Sequence, residues 1–572
     1  MPMRRLLPFA FVALLALTLL PGLAAVDAID EREARDLVTA FESTDHRDWL
    51  SAVYAHEPYF EKPLPGYAPE VLARRGLRRW LPMADAGTGD VAVSRLVRAV
   101  LAAALAFSVA ITGTRLFGAR SGWLAGCALA SMVGLPLAAR ADGTQVYATL
   151  LAWLGLERML TVLAGRTRAP AGALVMGWLA LGAAATTGGL LPALWPLAGF
   201  ALYFTLAKHH GGWRTLDPAA GALIIAGVCL PWYGLMVAIH GTVFIAHAPW
   251  FPYGSGVRGT WYSGVPLAMS FAVVTSFPWT PLLAAALADA AVRLRRSVVR
   301  PVSGMPLDSE HIEHLLLAMV LAGALPVALY PGPPLTAALP ALPAVALLVG
   351  RFADRVLDGG GETRALTHAT RLLALIGSAF ALMGLALAVR IPEASQPLRL
   401  LSALLFLSVW APLLADLRGA RKWAVGLFAL PAALGAPVLH TQVLPALEPF
   451  LNTRAVAESM ERVSPPHTPL VVFEEPPPSL RQGLPRNFIL RTQVVPGDVD
   501  ATGRDGYVYA AYRPANANAA LAALAPLGAT PEVLTRTPVM VLVRARSVAL
   551  DSTGATRGSP PTGAAPVRSR RP

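Results

Sequence analysis

The chain has 572 residues, of which 55% are hydrophobic and only 15% charged, with a formal net charge of +13. A soluble chain of that length would divide into several domains under charged surfaces, and this composition excludes that class. The basic excess does not indicate nucleic acid, because it falls mainly in short loops between apolar blocks and no base-reading signature accompanies it.

The apolar blocks are about 20 residues long, the length that crosses roughly 30 Å of hydrocarbon as a helix. They lack the period-two alternation of a barrel strand, and in lipid only helices and closed barrels satisfy their own backbone groups. The blocks are therefore read as transmembrane helices. The first, within residues 1–26, opens with Arg4 and Arg5; a weak small-residue site at 22–25 gives it the form of a signal peptide, but the many spans that follow favour a retained helix. Further spans are predicted near 92–114, 121–139, 143–163, 170–187, 190–207, 218–239, 263–292, 313–330, 334–350, 372–389, 400–416 and 423–443, about 13 in all. Cys127 and Cys229 both fall inside these blocks and are expected to be packing residues, not a disulfide or metal pair.

Orientation follows from the basic residues. With a cytoplasmic N-terminus, the loops predicted inside carry Arg115 and Arg120; Arg166 and Arg168; Lys208 and Arg214; Arg293, Arg295, Arg296 and Arg300; Arg351, Arg355 and Arg364; and Arg418, Arg421 and Lys422. The short outside loops carry little, Arg140, Arg258 and Arg390 among it. Such a bias marks the cytoplasmic side. It places residues 27–91 and everything after about 444 outside the cytoplasm, in an inner-membrane, multi-pass chain. The expected organisation is a transmembrane helical bundle over 1–443, a small periplasmic α/β domain over 444–550 and a disordered tail over 551–572.

In the first outside loop the spacing predicts helices over 31–42 and 69–81, and the Arg74, Arg75, Arg78 and Arg79 cluster is read as resting on lipid phosphates. In the C-terminal region, Val471-Val472-Phe473, Tyr507-Val508-Tyr509 and 539–543 are β-type runs, with helical stretches near 454–462 and 516–526. From Ser552 onward Pro, Gly, Ser and Arg dominate, a composition unable to build a core.

The densest polar and aromatic cluster lies in the first outside loop, from Tyr59 to Tyr67. Within it Lys62 stands out, because only three of the 48 basic residues are lysines, Lys62, Lys208 and Lys422. A lysine kept outside in so arginine-rich a chain suggests a need for a compact point charge, and phosphate is its natural partner; a solvated loop lysine is the plainer alternative. Asp27, Asp30 and Glu31, where the first span leaves the membrane, are read either as general bases or metal ligands or as charges favouring a helix N-terminus. Arg140-Ala141-Asp142-Gly143 puts a charged pair at the same surface, as a site or as snorkelling span ends. His240 and His247 are read as loop histidines, each more often without a role than a metal ligand.

These residues resemble a family. Glu57-Pro58-Tyr59-Phe60-Glu61-Lys62-Pro63, followed by Gly66-Tyr67, is similar to the signature loop of bacterial aminoarabinose transferases, which belong with the protein O-mannosyltransferases among multi-spanning glycosyltransferases of the GT-C type. Asp30-Glu31, Asp48-Trp49, Asp142, Pro231-Trp232-Tyr233, Trp261-Tyr262, Phe277-Pro278-Trp279 and Leu339-Pro340 with Pro343 resemble further landmarks in the right order. The first motif departs from the family pattern, so its arginine maps to Arg32 or to Arg35, and Asp27 rivals Asp30 as the first carboxylate. The family's Thr-Lys-Gly reads Thr186-Thr187-Gly188, and its late lysine-and-tyrosine stretch reads Pro331 to Ala337 without either residue.

The resemblance implies that Lys62 binds the donor phosphate, that Asp30 is the catalytic carboxylate and that Asp142 assists it. Tyr59, Tyr67, Arg32 and Arg140 would line the substrate site, and Glu61 would be a ligand for a divalent metal ion, the one cofactor implied. The expected activity is transfer of a sugar from a polyprenyl-phosphate donor to an extracytoplasmic acceptor such as lipid A, another glycolipid or a protein, with membrane lipids as the surroundings and no nucleic acid. A lipid or glycan transporter and a catalytically silent glycolipid-binding relative are the alternatives. No charged residues within midplane spans and no inverted repeats, the marks of a transporter, are visible in the sequence.

Overall fold

The computed structural model describes residues 3–28, 31–45, 50–77, 88–208, 210–247, 270, 272–298, 306–329, 335–359, 363–465, 467–473, 475–484, 489–491, 505–525 and 531–546. The chain divides into two compact units, Met1–Glu448 and Pro449–Pro572.

The first unit is helical. Eight of its described helices are long and apolar enough to cross a membrane, nine if a bent pair is counted as one span. The sequence reading of about 13 differs from this count where blocks are broken, short or partly outside the described residues, while the block near 313–330 is one helix, Ser309–Leu329. The block near 121–139 is two helices, α5 (Ala119–Ser131) and α6 (Gly134–Ala141), bent by 53°. That near 190–207 is a helix of 16 residues, Leu191–Leu206, and the one near 263–292 lies partly outside the described residues.

At the N-terminus, α1 (Met3–Leu19) packs against α5. After it come α2 (Glu31–Asp45), a hairpin of β1 (Ala52–Tyr54) and β2 (Glu57–Tyr59), and α3 (Leu64–Leu77). The hairpin closes through Ala55 and His56, with φ of 59° and 65°, as a two-residue turn twisted to suit its strands. The long α4 (Thr88–Phe117) packs on α5 and on α7 (Gly143–Leu163). Large side chains such as Trp153, Trp195 and Trp279 are fully enclosed between the helices, and the Trp279 indole donates to Ser131 Oγ at 2.8 Å. Both cysteines are free and buried, as expected of packing residues.

Some basic residues read as topology markers also have internal partners. Arg293, Arg351 and Arg355 all reach the buried Glu313, at 2.6, 3.2 and 2.7 Å. Arg74 and Arg75 correct the reading of a lipid-facing cluster. Arg74 is buried, donates to Ser94 Oγ at 2.8 Å and lies over the Phe41 ring, while Arg75 donates to the Thr44 carbonyl at 3.0 Å. Arg78 and Arg79 lie outside the described residues.

The second unit is built on a five-stranded sheet of β3 (Pro469–Val472), β4 (Ile489–Arg491), β5 (Tyr507–Tyr512), β6 (Glu532–Arg536) and β7 (Val541–Arg546). Its order is β4-β3-β5-β7-β6, with β3 parallel to β4 and β5 and the pairs with β7 antiparallel. Alternate residues feed opposite faces. Leu470, Val472, Tyr509 and Leu542 meet Val456 and Met460 of the helix Arg454–Val463, and Val471, Val508 and Val543 meet Ala520 and Leu524 of the helix Ala517–Leu524.

Candidate active site

Three chain segments far apart in sequence converge on Lys62, in the link between β2 and α3. Its ammonium lies 2.7 Å from Asp36 Oδ2 on α2 and 3.0 Å from Asp142 Oδ1, which leads into α7. The side chains of Lys62, Asp36 and Asp142 are 15%, 3% and 12% exposed, so all three charges are largely removed from bulk water.

Each partner is held by further bonds. The Tyr67 hydroxyl donates to Asp36 Oδ1 at 2.9 Å. Asp142 caps α7, accepting the Gln145 amide at 3.1 Å and the Thr144 hydroxyl at 2.9 Å, where the helix dipole also favours an anion. Two glycines make the approach possible. A Cβ on Gly66 would lie 2.3 Å from the Thr187 carbonyl oxygen, so only glycine lets the start of α3 rest on that chain. A Cβ on Gly143 would lie 2.4 Å from Glu70 Oε1.

Behind the lysine stand two buried ion pairs. Arg98 on α4 holds Glu70 of α3 bidentately, at 2.7 and 3.1 Å, and donates to the Arg140 carbonyl at 2.8 Å. Arg95, one turn earlier, meets Glu33 at 2.8 Å and the carbonyls of Leu23, Val26 and Asp27. These bonds tie α4 to the chain that enters α2 and to α2 itself.

The protonation states follow from burial and neighbours. Burial and the Asp142 charge raise the Asp36 carboxyl against the pull of Lys62, and it is pushed up to about 6. Burial acts on Asp142 in the same sense, but Lys62 and the Gln145 amide outweigh it and hold this carboxyl below its ordinary value. Burial works against the Lys62 charge, yet the two carboxylates overcome it and keep the ammonium well above its usual range.

Of the residues singled out from the sequence, Lys62, Asp142 and Tyr67 come together here. Asp30 lies outside the described residues. Tyr59 donates to Glu61 at 2.9 Å, and Glu61 is 52% exposed and paired with Arg35 at 3.2 Å. Among the described residues no group of three or more His, Cys, Asp or Glu side chains is placed to hold a metal ion. Arg32 is exposed on the first turn of α2. Arg140 is buried, with its guanidinium turned to the carbonyls of Pro21 and Gly22. The Asp27 amide donates to Glu448 at 3.0 Å. His240 and His247 belong to the helix Pro218–His247, not to a loop; His240 bonds Ser51 at 2.8 Å and packs edge-on against Phe60 at 4.9 Å.

Asp36 was not foreseen. Its only sequence signal is its place on the buried face of α2, with Glu33 and Ala40 three residues before and four after it.

The crystal structure of ArnT from Cupriavidus metallidurans bound to undecaprenyl phosphate matches this structure with a TM-score of 0.71 at 18% identity, over 94% of this chain and 96% of that one. The chain has the ArnT fold. ArnT from the same organism in the apo state matches with a TM-score of 0.68 at 20% identity, over the same shares of the two chains. The resemblance read from the sequence is thus met at the level of the fold, a multi-pass helical bundle with a small C-terminal sheet. No family model matches the sequence, and no curated protein matches it.

In the ArnT fold of this chain, the Thr186-Thr187-Gly188 stretch has a packing role. The Thr187 backbone meets Gly66, and the Ala185 carbonyl accepts the Tyr233 hydroxyl at 3.1 Å.

Proposed function

We propose that this protein is an inner-membrane glycosyltransferase that moves a sugar from a polyprenyl-phosphate donor to an acceptor on the extracytoplasmic side. The observation that carries the reading is a largely buried ammonium, Lys62, presented between two carboxylates in a fold shared with ArnT, which has been crystallised with undecaprenyl phosphate.

The chemistry needs a cation more than an acid. As the bond from the anomeric carbon to the phosphate oxygen breaks, charge gathers on the phosphate, and a positioned ammonium stabilises it without protonating it. Lys62 supplies that charge from a fixed position, because Asp36 and Asp142 hold two of its three N–H groups. The attacking acceptor hydroxyl must lose a proton to a base. Asp30, by its resemblance to the family's catalytic carboxylate, takes that role, with Asp142 assisting. Arg98–Glu70 and Arg95–Glu33 act at a distance, holding the segments that carry these groups. Glu61 is retained as the residue that would face a divalent ion, in exchange for its bonds to Arg35 and Tyr59. An aminoarabinose donor with a lipid A acceptor is one option within this class; other sugars and a glycolipid or protein acceptor are the rest.

The test is mass spectrometry of envelope lipids from cells lacking the gene, complemented with the wild type or with Lys62→Ala. A polyprenyl-phosphate sugar that accumulates in the null and in the variant, while one glycan or lipid loses the matching mass, supports transfer and identifies both substrates. Indistinguishable profiles with the protein expressed count against it.

A further inference from the structure

Lys62 is one cation shared between two carboxylates, and among the described residues no further free cation joins them. The three groups joined by hydrogen bonds bear one positive and two negative charges. Arg98, the other cation acting on Asp36 among the described residues, is held bidentately by Glu70. The cluster is therefore anionic before any phosphate arrives, although its lysine is the phosphate clamp.

We propose that Asp36 is a specificity-determining residue that makes the Lys62 site favour a singly charged phosphodiester over a more highly charged phosphate monoester, so that transfer itself drives release of the spent lipid. This rests on the reading of Lys62 as the donor's phosphate contact. In the transfer step the bond between the anomeric carbon and the phosphate oxygen breaks, and its electron pair stays on that oxygen. The acceptor oxygen forms the new bond to the anomeric carbon, and its proton passes to a carboxylate. The donor is a phosphodiester with one negative charge; the product is a monoester bearing about 1.5 to 2 at neutral pH.

The additional charge appears beside a carboxylate whose cation, Lys62, is shared with Asp142. Asp36 is nearly enclosed, with a side chain 3% exposed, so little water screens the repulsion. For charges several ångströms apart at an effective dielectric constant of ~20, the repulsion corresponds to a change of roughly tenfold or more in binding. Tyr67 fixes the carboxylate, so it cannot swing away. At pH 7.5 Asp36 is ionised, since its carboxyl is pushed up only to about 6.

The experiment compares dissociation constants of two lipids, a polyprenyl phosphate and its methyl phosphodiester, for the full chain in detergent at pH 7.5. The wild type, Asp36→Asn and Lys62→Met are measured by native mass spectrometry. Asparagine keeps the shape and the oxygen that accepts from Tyr67, and removes the charge together with the oxygen that accepts from Lys62. The monoester-to-diester ratio of dissociation constants is expected to fall about tenfold in Asp36→Asn, mainly through tighter monoester binding. Asp142→Asn, which keeps its capping oxygen, is expected to shift the ratio the same way and serves if the first variant does not fold. A ratio unchanged in the variants that fold overturns the proposal. In that case, loss of both lipids in Lys62→Met leaves the phosphate clamp standing. If the wild type binds neither lipid, the clamp and the proposal both fail.

Discussion

Asp36 is the strained member of the lysine cluster, and neutralising it should stabilise the protein in a pH-dependent way. Its carboxyl is raised from the ordinary 3.8 to about 6 in the folded state. A group raised on folding contributes its stability below its unfolded pKa and loses it as pH climbs through the folded value. The window for Asp36 is therefore about pH 4 to 6, and above it the ionised carboxylate is a net cost. A shift of about two pKa units corresponds to about 3 kcal/mol, an upper figure for a side chain that is 3% exposed. The amide that Asp36→Asn introduces resembles the protonated acid. The variant should therefore be more stable than the wild type at pH 8 by up to ~3 kcal/mol and nearly equal to it at pH 4. Thermal unfolding in detergent, followed by tryptophan fluorescence, should show a melting point a few degrees higher for the variant at pH 8, with the gap closing toward pH 4. A variant that melts below the wild type at pH 8, or a gap that ignores pH, refutes the assignment of strain to Asp36.

Three further outcomes follow from the same geometry. Lys62→Met leaves two buried carboxylates without their cation, so it should cost about 3–5 kcal/mol by thermal unfolding, and Asp36→Asn placed in that background should recover part of the loss. Gly143→Ala puts a Cβ 2.4 Å from Glu70 Oε1 and should cost about 1–3 kcal/mol, read as a lower melting point; a neutral result would mean that the Arg98–Glu70 pair is not tightly packed there. Glu70→Gln keeps the volume but leaves the buried Arg98 without its carboxylate, and should destabilise by several kcal/mol; the melting point of Glu70→Gln beside that of Glu61→Gln, at an exposed pair, checks that burial sets the size of the effect.

Much of the fold was legible because membranes impose a simple rule. Blocks of apolar residues near the bilayer thickness must be helices, and the bundle agrees. The same rule fails where a block breaks at Met132 and Val133 between α5 and α6, since composition does not show a bend. In the segment between α1 and α4, α2 was expected close to its observed place, whereas α3 starts at Leu64, five residues before the expected 69. Pro65 and Pro69 obscure that start, although proline fits the first turn of a helix. The β1–β2 hairpin gave no signal because its turn uses Ala55 and His56 with positive φ where glycine or asparagine is the usual sign.

The site was half legible for a related reason. Lys62 could be picked out by its rarity and Asp142 by its position at a span end, and the structure places them 3.0 Å apart. Arg140, two residues before Asp142, is read from the sequence as a substrate-site residue forming a charged pair with it. At the end of α6 the two side chains diverge, and Arg140 turns to the carbonyls of Pro21 and Gly22. Asp36 gains its importance only from folding, which brings α2 against a loop 26 residues away.

The most direct test of the central claim is transfer by the purified protein in liposomes containing envelope lipid extract and a radiolabelled polyprenyl-phosphate sugar. The wild type should consume the donor, release polyprenyl phosphate and move the label to an acceptor, while Lys62→Met, checked for correct insertion, should do none of these. Donor that stays intact with the wild type, or transfer by Lys62→Met at the wild-type rate, would contradict the account.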